Sequence, residues 1–217
     1  GYMRFPVERV IHIDRGDFEI ADDSPDFWPC AERILSRVYE QRILPELISR
    51  NGPTHLTIAA FAPIPLLMKL GSLIGDKTEA TVLDLPTERW LWDKRVDCPE
   101  PEFIFRVPAT LPREVAVVIS ISNRADHPHS PNVVEFRAVE PNRGIIRQEK
   151  HVSLFRKQFN DFLMQLAQSG ARILYLYPAT PISASVEIGR LLLPKTFEEI
   201  HVWEWQAPTW KPAVRLK

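Results

Sequence analysis

Glycine is scarce in this chain, with eight residues in 217 against twenty prolines. Turns must therefore be set mostly by proline's fixed φ, which favours rigid loops. Cysteine is scarcer still. Cys30 and Cys98 have neither metal-ligand spacing nor a disulfide framework, so a reducing, cytoplasmic setting is the expectation. No apolar run approaches about eighteen residues and no signal-peptide pattern is present, so neither a membrane span nor export is expected. An excess of either charge is missing too, since 27 Lys and Arg stand against 28 Asp and Glu. That balance argues against direct binding of duplex DNA or an anionic membrane, yet leaves room for a small pocket with a few cations. HExxH, paired CxxC, a Walker loop and a Ser/His/Asp order are all absent. GxGxxG is absent as well, which counts against a dinucleotide-dependent dehydrogenase.

What is present centres on Ala171–Trp205. Arg172–Tyr177 is apolar and rich in β-formers, and Pro178 is expected to end that strand. Thr180-Pro181 reads as an N-cap followed by proline at the first helical position. Ile182, Val186, Ile188, Leu191 and Leu192 then recur at helical spacing up to Pro194, and Ile200–Trp205 is a second strand. This βαβ unit implies a parallel pair with a right-handed crossover.

The same order occurs earlier. His55–Ala60 is a strand, Phe61-Ala62-Pro63 a loop, Ile64–Ile74 a helix and Thr78–Leu85 a strand. Setting Pro63 on Pro181 places Ile64 on Ile182, Gly71 on Gly189 and Leu73 on Leu191, a constant offset of 118. Gly52 and Gly170, each closing the preceding helix, keep that register. Two degenerate copies of one α/β unit are therefore expected.

Elsewhere, Val7–Asp14 is a candidate strand, and Ser24-Pro25 opens a helix with Ile34, Leu35, Val38, Leu44, Leu47 and Ile48 inward and a kink at Pro45. Phe103–Val107 is a possible edge strand in a Pro-rich connection, and Val115–Ile121 is apolar enough to be covered on both faces. Val133–Ala138 is a further strand. Ser153 is expected to cap a helix with Phe155, Phe159, Phe162, Leu163 and Leu166 inward. The fold class is α/β, with two Rossmann-like β-α-β-α-β halves over 1–97 and 115–217 joined by 98–114.

The stretches FAPIPLLMKLGSLIG, DLPTERWLW and LYLYPATPISASVEIGRLL with the following HVWEW resemble the SAVED domain. The resemblance covers about Pro53 to Trp205. It implies two fused CARF-like halves, a pocket between them for a cyclic di-, tri- or tetranucleotide second messenger, and a role in CBASS anti-phage defence. It also implies a fused effector elsewhere in the polypeptide, with an HNH-type DNA nuclease the first expectation, and self-association on ligand binding.

Open α/β sheets bind ligands at the carboxyl ends of their strands. A cyclic oligonucleotide needs phosphate donors, flat faces for bases and edge readers. The residues placed there are Phe61, Pro63, Lys69, Trp90, Ser122, Asn123, Arg124, Tyr177, Pro178, Thr180 and Ser183. Helix N-termini at Ile64 and Ile182 would add backbone N–H groups. Several have plainer readings: Thr180 as an ordinary cap, Lys69 as a solvated lysine, Trp90 and Trp92 as core or interface. Trp203 and Trp205 share one face of their strand, where core packing is the expected account. His127 and His129 lack the further ligands a metal site needs, so no metal, catalytic residue or cofactor is expected.

The expected function is a non-enzymatic receptor in which ligand bridges the halves and favours one relative orientation. An enzyme cleaving its own cyclic ligand is the first alternative, with Ser122, Thr180 or His127 as the base or positioned hydroxyl. A ligand-free interaction module is the second.

Overall fold

The computed structural model describes residues 10–11, 13, 24, 26–49, 55–84, 99–126, 128, 130–192 and 196–217. The elements in order are α1 (Phe27–Val38), a π-helical turn (Tyr39–Ile43), α2 (Leu44–Ile48), β1 (Leu56–Ile58), α3 (Ile64–Ile74), β2 (Ala80–Val82) and β3 (Phe103–Phe105). Then come β4 (Glu114–Ser120), β5 (Val133–Ala138), α4 (Glu149–Gln168), β6 (Ile173–Ala179), α5 (Ile182–Leu191), β7 (Glu199–Gln206) and β8 (Thr209–Arg215). β1 and β2 form a two-stranded parallel sheet, and the other strands a six-stranded sheet in the order β3-β5-β4-β6-β7-β8. Its four inner strands are parallel, and β3 and β8 flank them antiparallel.

The mixed α/β class matches the sequence reading, but details differ. β4 and β5 are parallel neighbours with no helix among the described residues of 121–132 between them, so the C-terminal unit carries one strand more than β-α-β-α-β. β3 does take an edge of the larger sheet, as Phe103–Val107 was expected to, pairing with β5. Most of the expected strand at Val7–Asp14 lies outside the described residues, and Trp90, Trp92, His127, His129 and Pro194 lie outside them too.

Pro45 has no N–H to give to the carbonyl four residues back, and its ring crowds that carbonyl. The helix answers by widening into the π-helical turn just before α2, rather than simply kinking. Ile48 is not inward as expected but 73% exposed, because the widened turn rotates the register of α2. α4 begins at Glu149, a turn before Ser153, whose hydroxyl instead donates back to the Glu149 carbonyl at 3.3 Å.

The main core lies between the six-stranded sheet and the helices. Phe155, Phe159, Phe162 and Leu166 recur at helical spacing on α4 and are fully buried, the three phenyl rings packing on Phe136 and Phe155 also on Phe103. Each such phenyl contributes about 1.5–3 kcal/mol by leaving water. The opposite sheet face carries Ala116, Val118 and Tyr177, packed with Ala125, Val133, Tyr175, Trp203 and Trp210. No described helix contributes to that second cluster.

α3 and α5 cross at glycines. A Cβ on Gly71 would lie 2.0 Å from the Val186 carbonyl oxygen, and one on Gly189 would lie 1.9 Å from that of Met68. Leu67 clusters with Val186 and Ile182 near the helix starts, whereas Arg190 in the last turn of α5 donates to the Gly75 carbonyl at the end of α3. The two helices therefore run the same way, and their N-termini lie at one end of the molecule.

Candidate functional site

The carboxyl ends of β4 and β6 are stitched together, since the Ile121 and Ser122 N–H groups both donate to the Ala179 carbonyl. The end of β2 meets them from the other unit. Asp84, just past β2, accepts the backbone N–H of Ser183 at 3.3 Å and its hydroxyl at 2.5 Å. The strand ends of both sheets and the starts of α3 and α5 thus open at a common end, where the strand-order rule places a ligand.

The expected helix cap is different from the observed one. Pro181, not Thr180, occupies the N-cap position of α5 and makes no side-chain cap bond. Thr180 is buried, and its hydroxyl bonds that of Ser185 at 2.8 Å. Asp84 supplies the missing acceptor for α5 and brings a negative charge to the positive end of its dipole. An anion therefore already sits there. At α3, Pro65 lacks an N–H, and the Leu66 and Leu67 N–H groups both donate to the Pro63 carbonyl. Of the leading N–H groups, Ser183 is taken by Asp84 and Ser185 by the Pro181 carbonyl, so Ile64, Ile182 and Ala184 are those the helix starts could offer a phosphate.

The remaining site residues separate into engaged and open. Lys69 is neither solvated nor open: its ammonium bonds Glu32 at 2.6 Å and the Arg215 carbonyl at 3.1 Å, tying α1, α3 and β8. Pro178 lies within β6 rather than ending it, opposite Ile119 of β4. It is tolerated because the pairing of β6 with β7 stops at Leu176. Tyr177 is buried, stacked on Trp203 at 5.4 Å and edge-on to Trp210 at 5.3 Å. Burial raises its phenol pKa above the ordinary value. Ser183 is buried on Asp84.

Phe61 is 85% exposed and Pro63 is exposed beside it. Asn123 and Arg124 are exposed, Ser122 half-buried. Their loop is fixed at both ends. The buried Ser120 hydroxyl accepts the Ala125 N–H at 3.1 Å and donates to Glu135 at 3.1 Å, while the Asp126 carbonyl accepts the Trp210 indole N–H at 2.9 Å. Arg124 is thus held on a short, tethered turn. Glu204, on β7, has its carboxyl raised to about 7 by burial, which a hydrogen bond from the Trp205 backbone partly offsets.

Trp203 is packed in a core cluster as expected, on the sheet face away from the helices, whereas Trp205 is 39% exposed rather than core. Plain strand alternation puts Ile200 and Val202 on the helix side and Trp203 in the second cluster, and the pairing with β8 is irregular at Val202/Trp203. β8, Trp210 and Asp84 escaped the sequence reading. Pro208 and Pro212 argue against a strand at 209–215, although the alternation of Trp210, Val214 and the residues between hints at one. An acid directly after the apolar run ending at Leu83 was the signal for Asp84.

A polar cleft of about 350 Å³ lies away from this end, lined by Asp76, Lys77, Glu149 and Arg156 among others. At its floor the buried Glu187 is 2.7 Å from Arg190 and 3.2 Å from Arg156. Arg190 also donates to the Thr78 carbonyl at 2.6 Å, a second bond across the two units. None of the residues chosen from the sequence lines this cleft. Among the described residues no group of three or more His, Cys, Asp or Glu is placed to hold a metal ion, and no helix is long and apolar enough to cross a membrane.

The family model described as "SMODS-associated and fused to various effectors sensor domain", SAVED, matches residues 39–216. Among solved structures, the chain is similar to the Moraxella osloensis Cap4 SAVED/CARF-domain containing receptor, with a TM-score of 0.67 and 14% identity over 94% of this chain and 46% of that one. It is also similar to the Acinetobacter baumannii Cap4 SAVED/CARF-domain containing receptor with the cyclic trinucleotide 3'3'3'-cAAA, at a TM-score of 0.63 and 13% identity over 94% and 48%. The same receptor with 2'3'3'-cAAA gives the same figures. The chain thus spans about half the length of these receptors. No curated protein matches.

Proposed function

The chain belongs to the SAVED family of sensor domains, and from that premise we propose that it is a receptor for a cyclic oligonucleotide. The observation that carries the reading is the shared end: strand termini of both sheets and the starts of two crossing helices open together, with Phe61, Pro63, Ser122, Asn123 and Arg124 left open there. Cyclic trinucleotides accompany the Acinetobacter receptor of the same fold, which makes a ring of this size the first ligand to try.

In this account Arg124 is the principal phosphate contact, with Asn123 beside it. Asp84 keeps phosphate away from α5, since two anions at one helix start repel. Phe61 offers a flat face to a base, and Trp90 is proposed as a second. Thr180, Ser183, Tyr177 and Pro178 build the floor without touching the ligand, and Lys69 is structural. The domain itself is proposed to be non-enzymatic and to use no cofactor.

Signalling is proposed to run through the seam. Rotating one unit against the other would break the Asp84–Ser183 and Arg190–Thr78 bonds and drive the glycine crossing into a clash. The ligand is therefore proposed to complete an assembly surface rather than to swing the halves. A heterologous contact of that kind builds open oligomers, bringing together an effector fused elsewhere, a DNA nuclease of the HNH type by first expectation. The site of action would be the cytoplasm, with neither membrane nor duplex DNA a direct partner.

Thermal unfolding of the chain against cyclic di-, tri- and tetranucleotides tests the reading. A ligand at 100 times its dissociation constant adds about 2.7 kcal/mol, which raises Tm by roughly 5–10 °C for a domain of this size. A panel that leaves Tm unmoved, cyclic and linear alike, would leave the interaction module as the better account.

A further inference from the structure

The second sheet face ends in a row of rings, and the outermost is more exposed than packing requires. Trp205 of β7 and Trp210 of β8 stand directly opposite each other in the hairpin, with ring centroids 5.4 Å apart and planes at 68°. Trp210 is clamped from behind by Tyr177 and by its indole bond to the Asp126 carbonyl. Trp205 itself is 39% exposed. Trp203 and Trp210 both pack on Tyr177, whereas the half-exposed indole of Trp205 meets Trp210 edge-on.

We propose that Trp205, backed by Trp210, is a nucleobase-stacking platform, and that Arg124 supplies the phosphate contact belonging to the same nucleotide. The inference rests on the receptor reading and assigns one base of its ligand. Three features carry it. β7 runs parallel to β6, so its carboxyl end, where Trp205 sits, lies at the ligand end of the sheet. Arg124 is two residues from Asp126, whose carbonyl holds Trp210, so cation and rings are fixed to one another through a hydrogen bond of 2.9 Å. Finally, the rings are held by packing on both strands, so little side-chain entropy remains to be lost when a base stacks. A flat, preformed and partly exposed indole accepts any base, which suits a platform more than a reader of base identity.

The test uses the cyclic nucleotide that raises Tm most in a panel headed by 3'3'3'-cAAA and 2'3'3'-cAAA. Dissociation constants for that ligand are measured with the unaltered chain, Trp205→Ala and Trp205→Phe. Stacking of one base predicts a weakening of about five- to hundredfold for Trp205→Ala, with Trp205→Phe recovering most of it because a flat ring remains. The unliganded Tm of both variants checks that the exposed position leaves the fold intact. Unchanged affinity in Trp205→Ala would overturn the platform while leaving the receptor reading in place. Equal losses in the Ala and Phe variants would overturn it too, since a flat face would not be what the ligand uses. A panel without any response in the unaltered chain would remove the receptor reading, and this inference with it.

Discussion

Gly71 and Gly189 hold each other's helices at backbone contact: each lacks the side chain that would collide with a carbonyl of the opposite helix. The pair is 118 residues apart, the offset that relates the two α/β units in sequence. A Cβ 2.0 Å or 1.9 Å from a backbone oxygen cannot be relieved by a rotamer change, so α3 and α5 would have to separate.

Alanine at either glycine is therefore expected to cost at least the about 1–3 kcal/mol of ordinary overpacking. Tm should fall by several degrees or the chain should fail to fold. Gly144→Ala is the control, because its nearest neighbour is the movable end of Arg147 at 3.3 Å. Equal effects at all three positions would contradict the crossing.

Asp84→Ala should destabilise by about 1–2 kcal/mol, the scale of a lost helix cap. Thermal melts of Asp84→Ala, Ser183→Ala and the double variant would show the coupling, with the double costing less than the sum of the singles.

Glu187 and Arg190 are both 1% exposed, so removing either partner leaves a buried charge in the wrong company. Arg190→Met is expected to cost less than the about 3–5 kcal/mol of a wholly unpaired buried charge, because Arg156 still faces Glu187 at 3.2 Å. Glu187→Gln should cost less, because an amide oxygen still accepts from Arg190.

Glu204 gives the fold a pH dependence. Its carboxyl is raised from 4.5 to about 7 chiefly by burial, so the folded chain favours the neutral form. Its contribution is fully present below pH 4.5 and is lost as pH rises to about 7, where the unfolded chain has already ionised. The loss amounts to at most about 3 kcal/mol. Glu204→Gln should flatten denaturant-measured stability across that window and be the more stable protein at pH 8.

Lys69→Met should lower Tm, since it strips Glu32 of its partner, yet leave ligand affinity unchanged. A weakened affinity would return Lys69 to the site.

Much of the fold was legible from side-chain periodicity. The bounds of α3 and of β5 match their apolar spacing and turn residues, and the inward row of α4 its phenylalanines. What escaped depends on partners remote in sequence. Thr180-Pro181 has the letters of a helix start, but the cap comes from Asp84, 99 residues before Ser183. Lys69 has the letters of a surface lysine, but Glu32 and β8 cover it. β8 is an edge strand, which tolerates Pro212 where a central strand would not. Local letters specify an element's existence; who satisfies its ends is decided by the tertiary fold.

The central claim is tested most directly by equilibrium binding of the best cyclic oligonucleotide and its linear counterpart to the chain and to Arg124→Ala. Saturable binding that favours the ring is expected, weakened about ten- to hundredfold without the guanidinium, the worth of a charge-assisted hydrogen bond. Equal affinity for ring and linear forms, unaffected by Arg124→Ala, would contradict it.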